Sequence, residues 1–494
     1  MWGQSGVRVG SESTPVSPSA APHVVIVGGG ISGLAAALRL ADSDRPPRVT
    51  VLEAAARFGG RVGTERRDGW LVELGPDLFL GGKPGAWELC RRLGIAERLH
   101  GTTAGAGAYV LRGRRLFRVP QGLTGLVPSR MGPFVRTRIV SPLGKLRVAL
   151  DYFIPPRRDD GDESVEAFVV RRLGREMYER LVEPLLSGIF AGDGSQLSVL
   201  ATFPQLRESE RTHGGMLRAM LAARRVKAAP VAAPGGRGPQ HQGFLSLPGG
   251  LGELIDALVT RLGECGVALR SGSAATALER DGEGWQVRLA DGSTLRADAV
   301  IVAAPTRATA TLLDAHAPDA AAALREIPLV TSATVSLGYR TAEVPRALDG
   351  TGYVTPRIER RAALACTWSS SKFPGRAPEG HALFRVFLGG ATRTDVGGLS
   401  DDAALAFARQ ELREVMGVTA EPRLAHVMWH REALPQYTLG HRDRVRRVEA
   451  AVELVDGLEV AGNSYHGVGI PDCVVSGERA AERLLVALAT LMSS

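Results

Sequence analysis

The stretch Val24–Leu40, VVIVGGGISGLAAALRL, decides the fold: four apolar residues run into glycines at 28, 29, 30 and 33, and apolar residues then resume. Two readings compete, a membrane span and a strand–turn–helix that exposes bare backbone to a ligand. A spanning helix needs about 18 to 20 consecutive apolar residues. Here the glycines, Arg39 and Asp42 cut the run short, and no uninterrupted apolar run of that length occurs elsewhere. The strand–turn–helix reading therefore stands, with a strand over His23–Val27, a helix over Ser32–Ala41 and a second strand over Arg48–Leu52 ending at Glu53.

Gly28, Gly30 and Gly33 form the pattern GxGxxG, and an acid, Glu53, follows twenty residues after the last of them. In a βαβ unit the first glycine permits the tight turn. The second lets the backbone approach a pyrophosphate, and the third lets helix pack on strand. Free amides at the helix start then meet the phosphate charge. Glu53 can accept both ribose hydroxyls and would repel a 2′-phosphate, which disfavours NADP. The competing reading is a tight βα turn with a surface acid. NAD and FAD both satisfy this fingerprint.

Size and composition bound the rest. A chain of 494 residues holds two or three domains, and 44% hydrophobic residues with 60 glycines fits a globular α/β protein rich in turns. The net charge of +8 is spread along the chain with no dominant basic block, so a nucleic-acid partner is not indicated; anionic substrates or an anionic membrane surface fit the charge as well. Cysteines at 90, 265, 366 and 473 form no CxxC or Cys/His spacing, so no metal site is expected, and free thiols point to a reducing compartment such as the cytoplasm.

Residues 1–22 are rich in Ser, Gly and Pro and read as a disordered lead-in, and the Pro/Gly-rich piece within 227–244 reads as a loop. Helical periodicity marks residues 164–225, and strand-like runs return at VALRSG, WQVRLADG, DAVIVAAP, TSATVSLGYR, HALFRVFLGG and RLAHVMWHREALP. A last strand, LEVAGN, leads into a helix from about Cys473 to Met492. The expected fold is mixed α/β. A Rossmann-like nucleotide domain is assembled from 23–100, 245–305 and 440–494, a mixed-sheet substrate domain from 101–115 and 306–439, and a helical domain from 116–226.

Beyond Glu53 the segment LEAAARFGGRVGTERRDGWLVELGP, and near the other end GLEVAGNSYHGVGIPDCVVSGERAAERLL, together resemble the two flavin motifs of the flavin amine oxidase superfamily. Further stretches, among them ELGPDLFL, LVEPLLSGIFAGDGSQLSVLATFPQL, LPGGLGELIDAL, CTWSSSKFPGRAPEG and ALPQYTLGH, are similar to the protoporphyrinogen oxidases and coproporphyrinogen III oxidases within it, over about residues 23–487. The resemblance implies FAD as cofactor, a porphyrinogen as substrate, molecular oxygen as electron acceptor, and hydride transfer to the flavin, so that no side chain is named catalytic. It leaves a homodimer and a peripheral membrane association open.

Carried over residue by residue, the resemblance assigns the cofactor to Gly28, Gly30, Ile31, Ser32, Gly33, Glu53, Ala54, Arg61, Gly75, Pro76, Asp77, Leu78, Ala275, Gly462, Val468, Gly469 and Ile470. Arg61 would reach the phosphates, and Val468 to Ile470 would lie against the isoalloxazine. For the substrate it implies the Gly188 carbonyl facing pyrrole N–H groups, Phe387 stacking on a pyrrole, and Val354 and Thr367 against the macrocycle. Each of these could equally be an ordinary core or strand residue.

The chain departs from the plant and animal branch, which has an arginine where Ala108 precedes Tyr109. Lys83 matches a lysine of the Gram-positive coproporphyrinogen branch and could contact a propionate, or could be a solvated surface charge. Ala275 stands where relatives often have valine, and His430 where that branch often has tryptophan. Coproporphyrinogen III is slightly favoured over protoporphyrinogen IX. An amine oxidase, a carotenoid desaturase and a non-catalytic flavin scaffold are the rival readings. The stretch LGKLRVALDYFIPP is either a membrane-facing basic and apolar helix or an amphipathic core helix.

Overall fold

The computed structural model describes residues 21–103, 107–120, 122–124, 127–128, 131–226, 243–282 and 284–491. The expectations for residues 1–20 and 227–242 lie outside the described residues.

The opening strand His23–Val27 sits at the centre of a five-stranded parallel sheet, whose order is 268–270, 48–52, 23–27, 299–302, 458–460. Its run of β-branched residues is buried on both faces, as a central parallel strand requires. Val24 and Ile26 enter one core, beneath the helices Ile31–Ala41, Gly252–Glu264 and Ile470–Leu491. Val25 and Val27 point the other way. That second core lies under a three-stranded antiparallel sheet (Ala275–Asp281, Gly284–Leu289, Thr294–Ala297) and the helices Thr306–Leu313, Pro318–Arg325 and His441–Glu453.

A seven-stranded sheet forms the second body, in the order 424–435, 329–340, 381–389, 363–368, 350–354, 107–112, 115–118. All its pairs are antiparallel except the parallel pair between 350–354 and 107–112. The period of two along each strand separates its faces. Tyr353, Cys366, Phe384, Val386 and Val335 pack into a core covered by the helix Asp401–Met416. The opposite face carries Val354, Thr367, Arg385, Phe387 and Thr334, three of them only half-buried.

Helices between Met131 and Val226 surround a third core. Their longest expected helical run is broken at Gly174, whose φ of +91° ends the helix Val165–Leu173, and it continues through a wide π turn over Tyr178–Val182 into Glu183–Phe190. Beside this core Arg172 is fully buried with Asp151 at 2.6 Å and Glu210 at 3.4 Å, and its remaining N–H groups donate to the carbonyls of Ile154, Pro155, Asp151 and Gly214. Among the described residues no helix is long and apolar enough to cross a membrane.

Candidate functional site

The three fingerprint glycines meet three different surroundings. Gly28 has φ +114°, a conformation L side chains rarely adopt, and a Cβ there would lie 2.4 Å from the carbonyl oxygen of Ala303. At Gly33 a Cβ would lie 1.9 Å from the Gly28 oxygen, so helix and turn touch only because no side chain intervenes. Gly30 is the contrast. Its φ of −72° and ψ of 176° suit any residue, and nothing in the protein lies within 4 Å of a Cβ built there. The bare position opens onto empty space in front of a helix with no side-chain cap and no acid in its first turn, which leaves its amides for an anion. Ile31 and Ser32, the first residues of that helix, are buried.

Glu53 stands at the end of the neighbouring strand. Its two carboxylate oxygens accept from the amides of Gly29 at 2.9 Å and Ala55 at 2.8 Å, which holds it at the rim of the turn beside exposed Ala54. Ser273 donates to the Glu53 carbonyl at 2.8 Å, which brings the strand beginning at Ala275 to the same edge. Gly59 donates to the Gly29 carbonyl at 2.7 Å, and the Arg57 guanidinium donates to the carbonyls of Phe58, Gly60 and Val62, fixing the Gly-Gly turn over the glycine loop. Arg57 thus shapes the loop, a role the sequence did not reveal.

Arg61 follows that turn. Burial lowers the pKa of its guanidinium, and no carboxylate among the described residues lies within ion-pair distance of it. A half-buried cation without a counter-ion among the described residues fits an anionic group in the space beside Gly30.

The second motif arrives from the far end of the chain. Gly477 of the helix Ile470–Leu491 abuts the Ser32 carbonyl oxygen, 2.0 Å from where a Cβ would stand, so this helix lies against Ile31–Ala41 and both helix starts converge. Gly462 donates to the Ser476 hydroxyl at 3.0 Å, and Val468 packs against the helical core. Gly469 and Ile470 open the helix. The Tyr437 hydroxyl accepts from the Gly467 amide at 2.9 Å and donates to the Asn463 carbonyl at 2.7 Å. Its ring stacks on His441 at 3.8 Å. Burial pushes the His441 imidazole down to about 4, and its Nε2 faces the Tyr465 carbonyl at 3.1 Å. Tyr437 and His441 lie within ALPQYTLGH, and their spacing across a turn was the only hint of their partnership.

Gly75, Pro76, Asp77 and Leu78 cross from the nucleotide body to the seven-stranded sheet. Gly75 gives its carbonyl to the Arg385 guanidinium, and Asp77 takes the Lys372 ammonium at 2.7 Å. The register across the sheet sets Val354, Ala365, Phe387 and Thr334 in one row, and Ala108, Gly352, Thr367 and Arg385 in the next. Val354, Thr367 and Phe387 thus share one face, with exposed Gly188 at its rim and the Val354 Cγ1 3.9 Å from a Cβ built there. His430 is on this face too. Burial, then Arg385 and Arg61, lower its pKa to about 4, so it is neutral near pH 7. Lys83 stands apart from the row: it is half-exposed, and its ammonium pairs with Asp472 at 2.7 Å behind the Gly467–Ile470 loop.

Residues 31–485 match the family described as flavin containing amine oxidoreductase. The chain belongs to that family. It is an FAD-dependent oxidoreductase, and the glycine turns, helix starts and unpaired Arg61 are consistent with a large anionic dinucleotide. Curated relatives include the coproporphyrinogen III oxidase of Bacillus subtilis (strain 168), 37% identical over 94% of this chain and 98% of its own length. The protoporphyrinogen oxidase of Homo sapiens is 34% identical over 94% and 98%. A solved structure from Exiguobacterium sp. 255-15 superposes with a TM-score of 0.81 at 31% identity, over 95% of this chain and 99% of that one. Putrescine oxidase shares the fold at a TM-score of 0.65 and 16% identity, covering 94% and 99%.

Proposed function

We propose that this flavoenzyme oxidises a porphyrinogen to a porphyrin in haem biosynthesis, with coproporphyrinogen III slightly favoured over protoporphyrinogen IX and molecular oxygen as the final electron acceptor. The carrying observation is the single face formed by Val354, Thr367 and Phe387, joined to the Gly75–Asp77 segment through Arg385. A flat, half-buried, largely apolar wall suits a large macrocycle. The sequence similarity to porphyrinogen oxidases along nearly the whole chain supports the same reading.

In this reading FAD, when bound, would supply the hydride acceptor, and this chain's residues bind and orient. Glu53 would hold the ribose, the amides at the start of the helix Ile31–Ala41 and the Arg61 guanidinium would hold the pyrophosphate, and the loop Gly467–Ile470 would face the ring system. Phe387 and Val354 contact the macrocycle, and the Gly188 carbonyl accepts from its pyrrole N–H groups. Neutral His430 fits a reaction that needs no strong base. Ala108 faces this wall without the arginine of the plant and animal branch, leaving Lys83 as the sequence's candidate for a propionate.

Val135, Leu143, Leu146, Leu150 and Phe153 are exposed together with Arg136 and Arg138, which supports peripheral contact of the helical region with an anionic membrane while the protein resides in the cytoplasm. Co-flotation with anionic but not neutral liposomes is the expected result. The functional reading is tested by anaerobically prepared coproporphyrinogen III and protoporphyrinogen IX supplied to the purified holoenzyme in air, with porphyrin fluorescence recorded, and with an amine and a carotene as controls. Turnover of an amine or a carotene without porphyrin formation would overturn it.

A further inference from the structure

Beneath the Gly75–Asp77 segment lies a group of buried charges that the reaction as described does not use. Arg385 is 3% exposed, and its side chain leaves the same face as Phe387. It donates to the Gly75 carbonyl, and its guanidinium carbon stands 5.1 Å from the centre of the Phe387 ring. Its Nε has no hydrogen-bond partner.

Lys372 pairs with Asp77 at 2.7 Å, and Arg376 with Glu73 at 3.2 Å, while Arg376 also donates to the Ser246 hydroxyl at 2.8 Å. Ser246 in turn donates to the Asp77 carbonyl at 2.8 Å. Arg385, Lys372 and Arg376 thus stand around Asp77 and Glu73, with Arg66 and Glu253 farther out beside Arg376. Asp77 and Glu73 each have a closer partner, and no carboxylate among the described residues lies within ion-pair distance of the Arg385 guanidinium, although both act on it from farther away. A buried, uncompensated cation costs free energy unless a negative group approaches it.

We propose that Arg385 is a positioning residue of the cofactor site: through Gly75 it fixes the Gly75–Asp77 segment against Phe387, and its unpaired charge favours the electron-rich, reduced form of the flavin. This rests on the reading that the flavin lies against Gly75. A fixed charge acts strongly in a poorly solvated site because no solvent reorganises around it. Arg385 also links two surfaces that must stay in register, the segment against the cofactor and the ring against the macrocycle.

The test is a reductive titration of the holoenzyme against a reference dye, for wild type, Arg385→Met and Arg385→Lys. Arg385→Met is expected to lower the ratio of reduced to oxidised flavin at a fixed potential about tenfold, a shift of about 30 mV for a two-electron couple. Arg385→Lys, which keeps the charge but loses the fork, is expected to restore most of the potential while KM for the porphyrinogen stays raised. If Arg385→Met does not fold, Lys372→Met removes a cation from the same group and must shift the potential in the same direction. A wild-type potential in whichever of the two methionine variants folds would overturn the inference. If wild-type protein itself took up no FAD, the cofactor reading would fail instead, so the two failures are distinguishable.

Discussion

Replacing Gly30 by alanine separates a glycine kept for a ligand from one kept for the fold. At φ −72° and ψ 176° alanine adopts the backbone without strain, and its Cβ meets no protein atom within 4 Å. The folded apoprotein is therefore expected to be as stable as wild type or slightly more so, because removing a glycine restricts the unfolded chain by about 0.4–1 kcal/mol. The new methyl group enters the space in front of the helix start. Overpacking there costs about 1–3 kcal/mol. Lengthening one charge-assisted amide–phosphate hydrogen bond adds a similar amount, about 1.5–3 kcal/mol.

With about 1.4 kcal/mol per tenfold in Kd, a net loss of about 3 kcal/mol weakens FAD binding by roughly 100-fold. The assay is fluorescence quenching of FAD titrated into deflavinated protein, beside a thermal melt of the same samples. Gly33→Ala is the control, because its Cβ would lie 1.9 Å from the Gly28 oxygen and must lower both the melting temperature and the affinity. Wild-type FAD affinity in Gly30→Ala would refute the reasoning, and so would an apoprotein destabilised as much as Gly33→Ala.

Arg172→Met should destabilise the helical region by about 3–5 kcal/mol, since it leaves Asp151 buried without its cation while Glu210 keeps Arg171 and Arg207, and denaturant unfolding reads this directly. His441 titrates at about 4 in the folded protein, below its ordinary 6.5, so the unfolded chain takes the proton first as pH falls. Its contribution is complete above about pH 6.5, falls away towards about pH 4, and is on the order of 3 kcal/mol. His441→Phe keeps a ring against Tyr437, and its stability should fall less steeply than wild type across that window. Lys83→Ala should raise KM for coproporphyrinogen III more than for protoporphyrinogen IX; equal values would remove Lys83 from the substrate site.

The βαβ unit was legible to within a residue, because local patterning sets it. The helix expected over Ser32–Ala41 runs Ile31–Ala41, and both flanking strands fall where the apolar runs end. The helix expected from Cys473 starts at Ile470, since Pro471 is tolerated in a first turn. The glycine spacing pointed to an anion, and the empty space at Gly30 agrees with it. Interactions between distant residues were invisible. Lys372 and Asp77 are 295 positions apart, Lys83 and Asp472 are 389 apart, and no pattern within either segment announces its partner. Arg385 reads in sequence as one charge in an apolar strand, and only the register placing it beside Phe387 and under Gly75 shows what it touches. The break at Gly174 and the π turn after it were hidden because the apolar spacing continues across them.

The central sheet gathers strands from residues 23–27, 48–52, 268–270, 299–302 and 458–460. Such a layer cannot close on the ribosome in the order it is made, because its last member is translated long after the middle ones. Until then the strand 299–302 presents an unsatisfied, wholly apolar edge, the kind of surface that invites mispairing between nascent chains. Capture of the yellow prosthetic group is thereby deferred to the final stage of biogenesis.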